Sequence, residues 1–182
     1  MTNLIRDAAN LAMGLLEGKE PRRAHVIGVG GMAESTHEMN SELAPLWVVA
    51  SAWLHDVGYA DRVRRSGFHP LDGATYLRDR GWPPKVCSLV AFHTGAEYEA
   101  EERGVSQVML EFERPASTDL DLLNMFDLYV GPDGLPTTPE ERIAEILRRY
   151  EPDSPVHRAV SISGPHLIAS AARAKRRLRR WP

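Results

Sequence analysis

Apolar residues recur at Leu4, Ile5, Ala8, Leu11, Ala12, Leu15 and Leu16. This is the spacing of one helix face, and it predicts an amphipathic helix over residues 3–17. Thr2 or Asn3 is its expected N-cap and Gly18 its stop. Pro21 suits the first turn of a second helix, over 21–39, on which Arg22, His25 and Val29 share a face at i, i+3 and i+7. The third helix, 43–56, has a different pattern. From Trp47 to Leu54 it is apolar on every side, and it then ends in the adjacent pair His55-Asp56 with Gly58 behind it. A helix apolar all round is buried all round, so it carries one imidazole and one carboxylate to an interior point. An ionisable pair is unfavourable there unless a cation or a dense hydrogen-bond network compensates it.

The same reading continues down the chain. His69-Pro70 opens a helix over 70–80, with Leu71, Ala74 and Leu77 as core residues. Val86, Leu89, Val90 and His93 share a face of a helix over 84–94, and Leu120, Leu123, Asp127 and Val130 share one over 119–130. Thr138-Pro139-Glu140-Glu141 starts a further helix, with its acidic residues at the positive end of the dipole. Ser154-Pro155 starts the last helix, which is expected to break or kink at Gly164-Pro165. No strand alternation or internal repeat appears. The fold expected is all-α, a compact single-domain helical bundle over residues 1–182.

Composition narrows this picture modestly. A chain of 182 residues with 43% hydrophobic residues can build one well-cored domain. A net charge of −3 offers no general attraction to nucleic acid or membrane, and neither is an expected partner. The single cysteine, Cys87, rules out an internal disulfide and fits a reducing cytoplasm. No signal-type apolar run precedes the first charges, so a cytoplasmic protein is expected. Residues 97–121 carry eight acidic side chains against two basic ones and are expected to be exposed and partly irregular, a candidate lid. The run Arg173 to Arg180 holds six cations in eight residues and is expected to be a solvated helix end.

One rival motif requires an answer. Gly28-Val29-Gly30-Gly31-Met32-Ala33 matches a dinucleotide-binding fingerprint, but that mechanism needs a strand before it and an acidic residue about 20 positions on. Residues 48–53 contain only Val, Ala, Ser and Trp. Close helix packing is the simpler reason for the glycines.

The inward ionisable residues, in order, are His25, His55-Asp56, His69, His93 and Asp127. Four imidazoles and two carboxylates suit Fe, Mn or Zn better than Mg or Ca, which prefer oxygen shells. Two ions bridged by a carboxylate would use all six. The ordered set H…HD…H…H…D resembles the HD-domain superfamily of metal-dependent phosphohydrolases, over roughly residues 20–135. Arg22-x-x-His25, His69-Pro70 with Gly73-Ala74, and Asp127 with Gly131-Pro132-x-Gly134 look like that family's local motifs. Ala91-Phe92-His93-Thr94-Gly95 is similar to a segment of its dinucleoside-tetraphosphate hydrolases. Members that degrade cyclic dinucleotides carry a lysine where this chain has Tyr59, together with a GYP signature absent here.

The resemblance implies one ion on His25, His55, Asp56 and Asp127 and a second on His69, His93 and a bridging Asp56. Fe or Mn is expected, with Zn, Ni or Co open. It implies attack of a metal-activated water on a phosphate ester or anhydride of a nucleotide or similar small metabolite, with Asp56 and Arg22 as the catalytic residues. Arg22 would hold a phosphate oxygen or buttress a ligand by a salt bridge. Arg62, Arg64 and Arg65 are candidates to add to the grip on substrate, although arginines in a loop are ordinarily just solvated. A homo-oligomer is left open. The resemblance also admits a mixed-valent di-iron oxygenase that cleaves a C–C or C–P bond, and a helical module that binds without catalysing.

Overall fold

The structure, a computed structural model, describes residues 3–179. Thr2 and Arg180 lie outside the described residues. Among the described residues ten α-helices follow in order: α1 (Asn3–Leu15), α2 (Arg22–Met39), α3 (Leu46–Leu54), α4 (His69–Arg78), α5 (Pro84–Phe92), α6 (Ala96–Glu102), α7 (Ser106–Met109), α8 (Ser117–Leu128), α9 (Pro139–Arg149) and α10 (Pro155–Arg179). Single 3-10 turns occupy Val57–Tyr59 and His93–Gly95. Among the described residues there is no strand, only an isolated bridge between Val130 and Pro136. No described helix is long and apolar enough to cross a membrane.

Helix α3 is the axis of the molecule, as its all-round apolar surface requires. Every residue from Val48 to Gly58 is buried, and α1, α2, α5 and α8 pack against it. It starts at Leu46 and not at 43, because the residue before Pro45 is pushed out of the helical region and Pro45 itself is extended at ψ 151°. At the other end His55 keeps helical angles, and Asp56 then leaves the helix at φ −102°, ψ 7°. The two side chains therefore diverge from one helix end toward the same interior point.

The glycines of α2 are explained by packing. A Cβ on Gly30 would lie 2.3 Å from the Trp53 ring, and one on Gly28 would lie 2.7 Å from the Gly134 carbonyl oxygen. With no strand before them, the dinucleotide fingerprint has no structural counterpart. A Cβ on Gly58 would approach the His69 carbonyl oxygen to 2.0 Å, so only glycine lets the turn after Asp56 pass beneath the start of α4.

Three expectations are modified. Helix α10 runs unbroken through Gly164-Pro165. Pro165 and Ser161, whose carbonyl loses its partner, are both exposed, so water can satisfy the freed oxygen. The acidic segment forms α6 and α7, buries Ala100, Met109 and Phe112, and is tied down by ion pairs of Glu97 with Arg114, Glu99 with Arg103 and Glu102 with Arg158. The basic run is anchored within the chain and is not wholly solvated. Arg173 and Arg177 donate to Asp121 on α8 at 2.6 and 3.2 Å, and Lys175 donates to the Tyr129 hydroxyl. Helix α8 is consequently buried on every side from Asp121 to Leu128, with α3 and α10 both against it.

Candidate metal centre

Five separate elements bring His25, His55, Asp56, His69, His93 and Asp127 together around the end of α3. His25 comes from the buried face of α2, His69 from the first residue of α4, His93 from the residue after α5 and Asp127 from the last turn of α8. All are buried except His69, which is partly so.

The two oxygens of Asp56 face two different imidazole pairs. Oδ2 lies 3.4 Å from His55 Nε2 and 3.9 Å from His25 Nε2, whereas Oδ1 lies 3.3 Å from His69 Nε2 and 4.0 Å from His93 Nε2. Within each pair the Nε2 atoms are close, 3.4 Å between His25 and His55 and 3.2 Å between His69 and His93. Asp127 Oδ1 lies 3.0 Å from His25 Nε2.

These contacts do not satisfy one another as hydrogen bonds. His25, His55 and His93 each direct Nδ1 at a backbone carbonyl, of Gly131, Ala52 and Val90, at 3.0, 2.8 and 2.7 Å. A carbonyl only accepts, so Nδ1 carries the proton and a neutral ring presents a bare lone pair at Nε2. His25 and His55 thus aim lone pairs at each other, and His25 also aims at a carboxylate oxygen. A cation at the centre of such a set would satisfy these lone pairs together. Nitrogen donors bound about 2.0–2.1 Å from one ion stand about 2.8–3.4 Å apart, from octahedral to tetrahedral angles. The 3.4 and 3.2 Å separations match that spacing, and the donor types suit a divalent transition metal.

Electrostatics favour the same arrangement. Burial alone would raise the Asp56 carboxyl, but the Arg22 guanidinium, 2.7 Å away, and the neighbouring His55 hold it well below the usual range. Asp127 is likewise held low against its burial by His25 and His55. Burial lowers His69 and His93, keeping them neutral and able to ligate. His55 is the exception: its burial is outweighed by Asp56, which lifts the imidazole to about 8, so an ion bound at its Nε2 would have to displace a proton.

The centre forms the floor of a cleft of about 580 Å³, counting its open mouth. Arg22, Arg142 and Arg149 line it, together with Glu99 and the apolar side chains of Ile146, Val156 and Val160. Tyr59 stacks on His69 with ring centroids 4.1 Å apart, and Arg22 sits 4.1 Å from the same tyrosine ring. The expected Arg62, Arg64 and Arg65 are not brought here. They are exposed on the loop before α4 and do not line the cleft. Arg142 and Arg149 escaped the sequence reading, although Arg142, Ile146 and Arg149 at i, i+4 and i+7 share a face and Arg142 interrupts an apolar stripe.

The model of the HD domain family matches residues 22–153 of the sequence. The chain belongs to the HD domain family. No curated protein and no solved structure matches it. The HD-domain match runs from α2 through α9, beyond the residues 20–135 over which the resemblance was read, and so takes in Arg142 and Arg149.

Proposed function

We propose that this HD-domain protein is a metal-dependent phosphohydrolase acting on a phosphate ester or anhydride of a nucleotide or similar small metabolite. The observation that carries the reading is the sharing of Asp56: its two oxygens serve two histidine pairs at the floor of a cleft lined by three guanidiniums. His25, His55, Asp56 Oδ2 and Asp127 would hold one divalent ion, and His69, His93 and Asp56 Oδ1 the other, with Fe or Mn favoured. When bound, such ions polarise a phosphoryl oxygen and acidify a water molecule near neutral pH.

The chain's own residues do the remainder. Arg22 gives one of its five N–H groups to Asp56, which fixes the carboxylate, and keeps others for a phosphoryl oxygen. Arg142 and Arg149 share the single carboxylate of Glu145, so the pair leaves a net positive charge along the cleft, where exclusion of water strengthens it. The apolar side chains beside them, Ile146, Val156 and Val160, exclude that water and receive the leaving group.

Three arginines around a histidine-carboxylate floor favour an anionic phosphoryl group over the uncharged polyol of an oxygenase. A panel of phosphate esters and anhydrides, assayed with Mn or Fe while oxygen consumption is recorded, tests the reading. Phosphate release that disappears in Asp56→Ala supports it. Oxygen uptake with no phosphate released from any substrate would replace it with the oxygenase.

A further inference from the structure

Thr94 follows His93 directly and is the only non-glycine described residue with positive φ, at 45°. For a β-branched side chain that conformation is disfavoured and persists only where surrounding contacts impose it. The contacts are specific. The Thr94 backbone N–H donates to Asn124 Oδ1 at 2.8 Å, and its hydroxyl donates to Asp127 Oδ2, the oxygen turned away from His25.

Asn124 is itself held from behind. With Oδ1 accepting from Thr94, its Nδ2 donates to Ser170 Oγ on α10 at 3.3 Å, and Ser170 gives its single proton to Asp121 Oδ1 at 2.6 Å. Asp121 in turn accepts from Arg173 and Arg177 of the basic run. Each donor and acceptor in this series has one consistent assignment, so the amide orientation of Asn124 is fixed by its neighbours. Asp121, Asn124 and Ser170 are all buried, where an unmatched polar group would be costly.

We infer that Thr94 and Asn124 are positioning residues for the metal centre, joined through Ser170 and Asp121 to the arginines of α10, and that the basic run therefore serves to orient Asp127 and His93. Asn124 sets both ligands at once: through the Thr94 N–H it fixes the backbone just after His93, and through the Thr94 hydroxyl it fixes the free oxygen of Asp127. Groups that orient metal ligands from behind typically change affinity 10- to 100-fold when removed. The inference rests on the metal-binding part of the proposed function and needs no assumption about the substrate.

Thr94→Gly separates positioning from plain structural support, because glycine adopts φ 45° without strain but lacks the hydroxyl. Mn(II) titration of the metal-free 182-residue chain by calorimetry, beside thermal unfolding of the same samples, gives the two readouts. We expect Thr94→Gly to melt no lower than the parent while its Mn(II) affinity falls about 10- to 100-fold. Thr94→Ser, which keeps the hydroxyl, should recover most of that affinity, and Asn124→Ala should lose it to a similar degree. Thr94→Gly and Asn124→Ala binding Mn(II) as tightly as the parent would overturn the inference. A parent chain that binds no Mn(II), Fe(II) or Zn(II) would instead refute the metal centre itself.

Discussion

Helix α2 carries His25, and its distance from α3 is set by Gly30. A methyl at Gly30 would lie 2.3, 2.4 and 2.8 Å from three atoms of the Trp53 ring, where carbon atoms ordinarily rest about 3.5–4.0 Å apart. The ring cannot easily yield, since it is buried and its Nε1 donates to Glu34 on α2 at 2.8 Å. Gly30→Ala must therefore separate the helices. Overpacking of this kind costs about 1–3 kcal/mol, and alanine returns up to about 1 kcal/mol of helix propensity. The adjacent Gly31 has no atom within 4 Å of its would-be methyl, so Gly31→Ala collects the propensity gain alone. The difference between the two variants cancels propensity and isolates the clash. In urea unfolding of metal-free protein followed by far-ultraviolet circular dichroism, Gly30→Ala should be less stable than Gly31→Ala by about 1–3 kcal/mol. Equal stabilisation by both would refute the close packing of α2 on Trp53.

Two further outcomes follow from the charges. Hydrogen bonds from Arg173, Ser170 and Arg177 overcome the effect of burial and lower the Asp121 carboxyl, so its stabilising contribution is complete above its unfolded pKa of about 3.9 and fades as pH falls through the lower folded value. The stability gap between the parent and Asp121→Asn, measured by urea unfolding, should thus be constant near neutrality and close below about pH 4; a gap unchanged at pH 3 would contradict the pairing. Arg149→Met, at the rim of the cleft, should raise KM for a phosphate substrate more than it lowers kcat, and an unchanged KM would remove Arg149 from substrate binding.

Much of the architecture was legible because burial leaves a periodic trace. The stretch from Trp47 to Leu54, apolar but for Ser51, marked a buried central element, and His25, His93 and Asp127 each fell on the apolar face of its own helix. The ligand order could be read because each residue type is chemically distinctive. The arginines that line the cleft were not legible for a physical reason: Arg62, Arg64 and Arg65 lie near His69 in sequence, but their loop turns outward, whereas Arg142 reaches the cleft only because α9 and α10 fold back over it. Asn124 lies one turn beyond Leu120, a polar residue in a buried helix, yet nothing local reveals that its partners are Thr94 and Ser170. The continuity of α10 through Pro165 depends likewise on which side of the helix meets solvent, and that is settled only by the packing of α8.

In the proposed centre Asp56 joins two ion sites. Elemental analysis of protein purified without chelator, and after reconstitution with Fe or Mn, tests it most directly. The shared carboxylate predicts two equivalents per chain in the parent, one remaining in His69→Ala and none in Asp56→Ala. A reconstituted parent holding no metal, or an Asp56→Ala chain that keeps both ions, would contradict it.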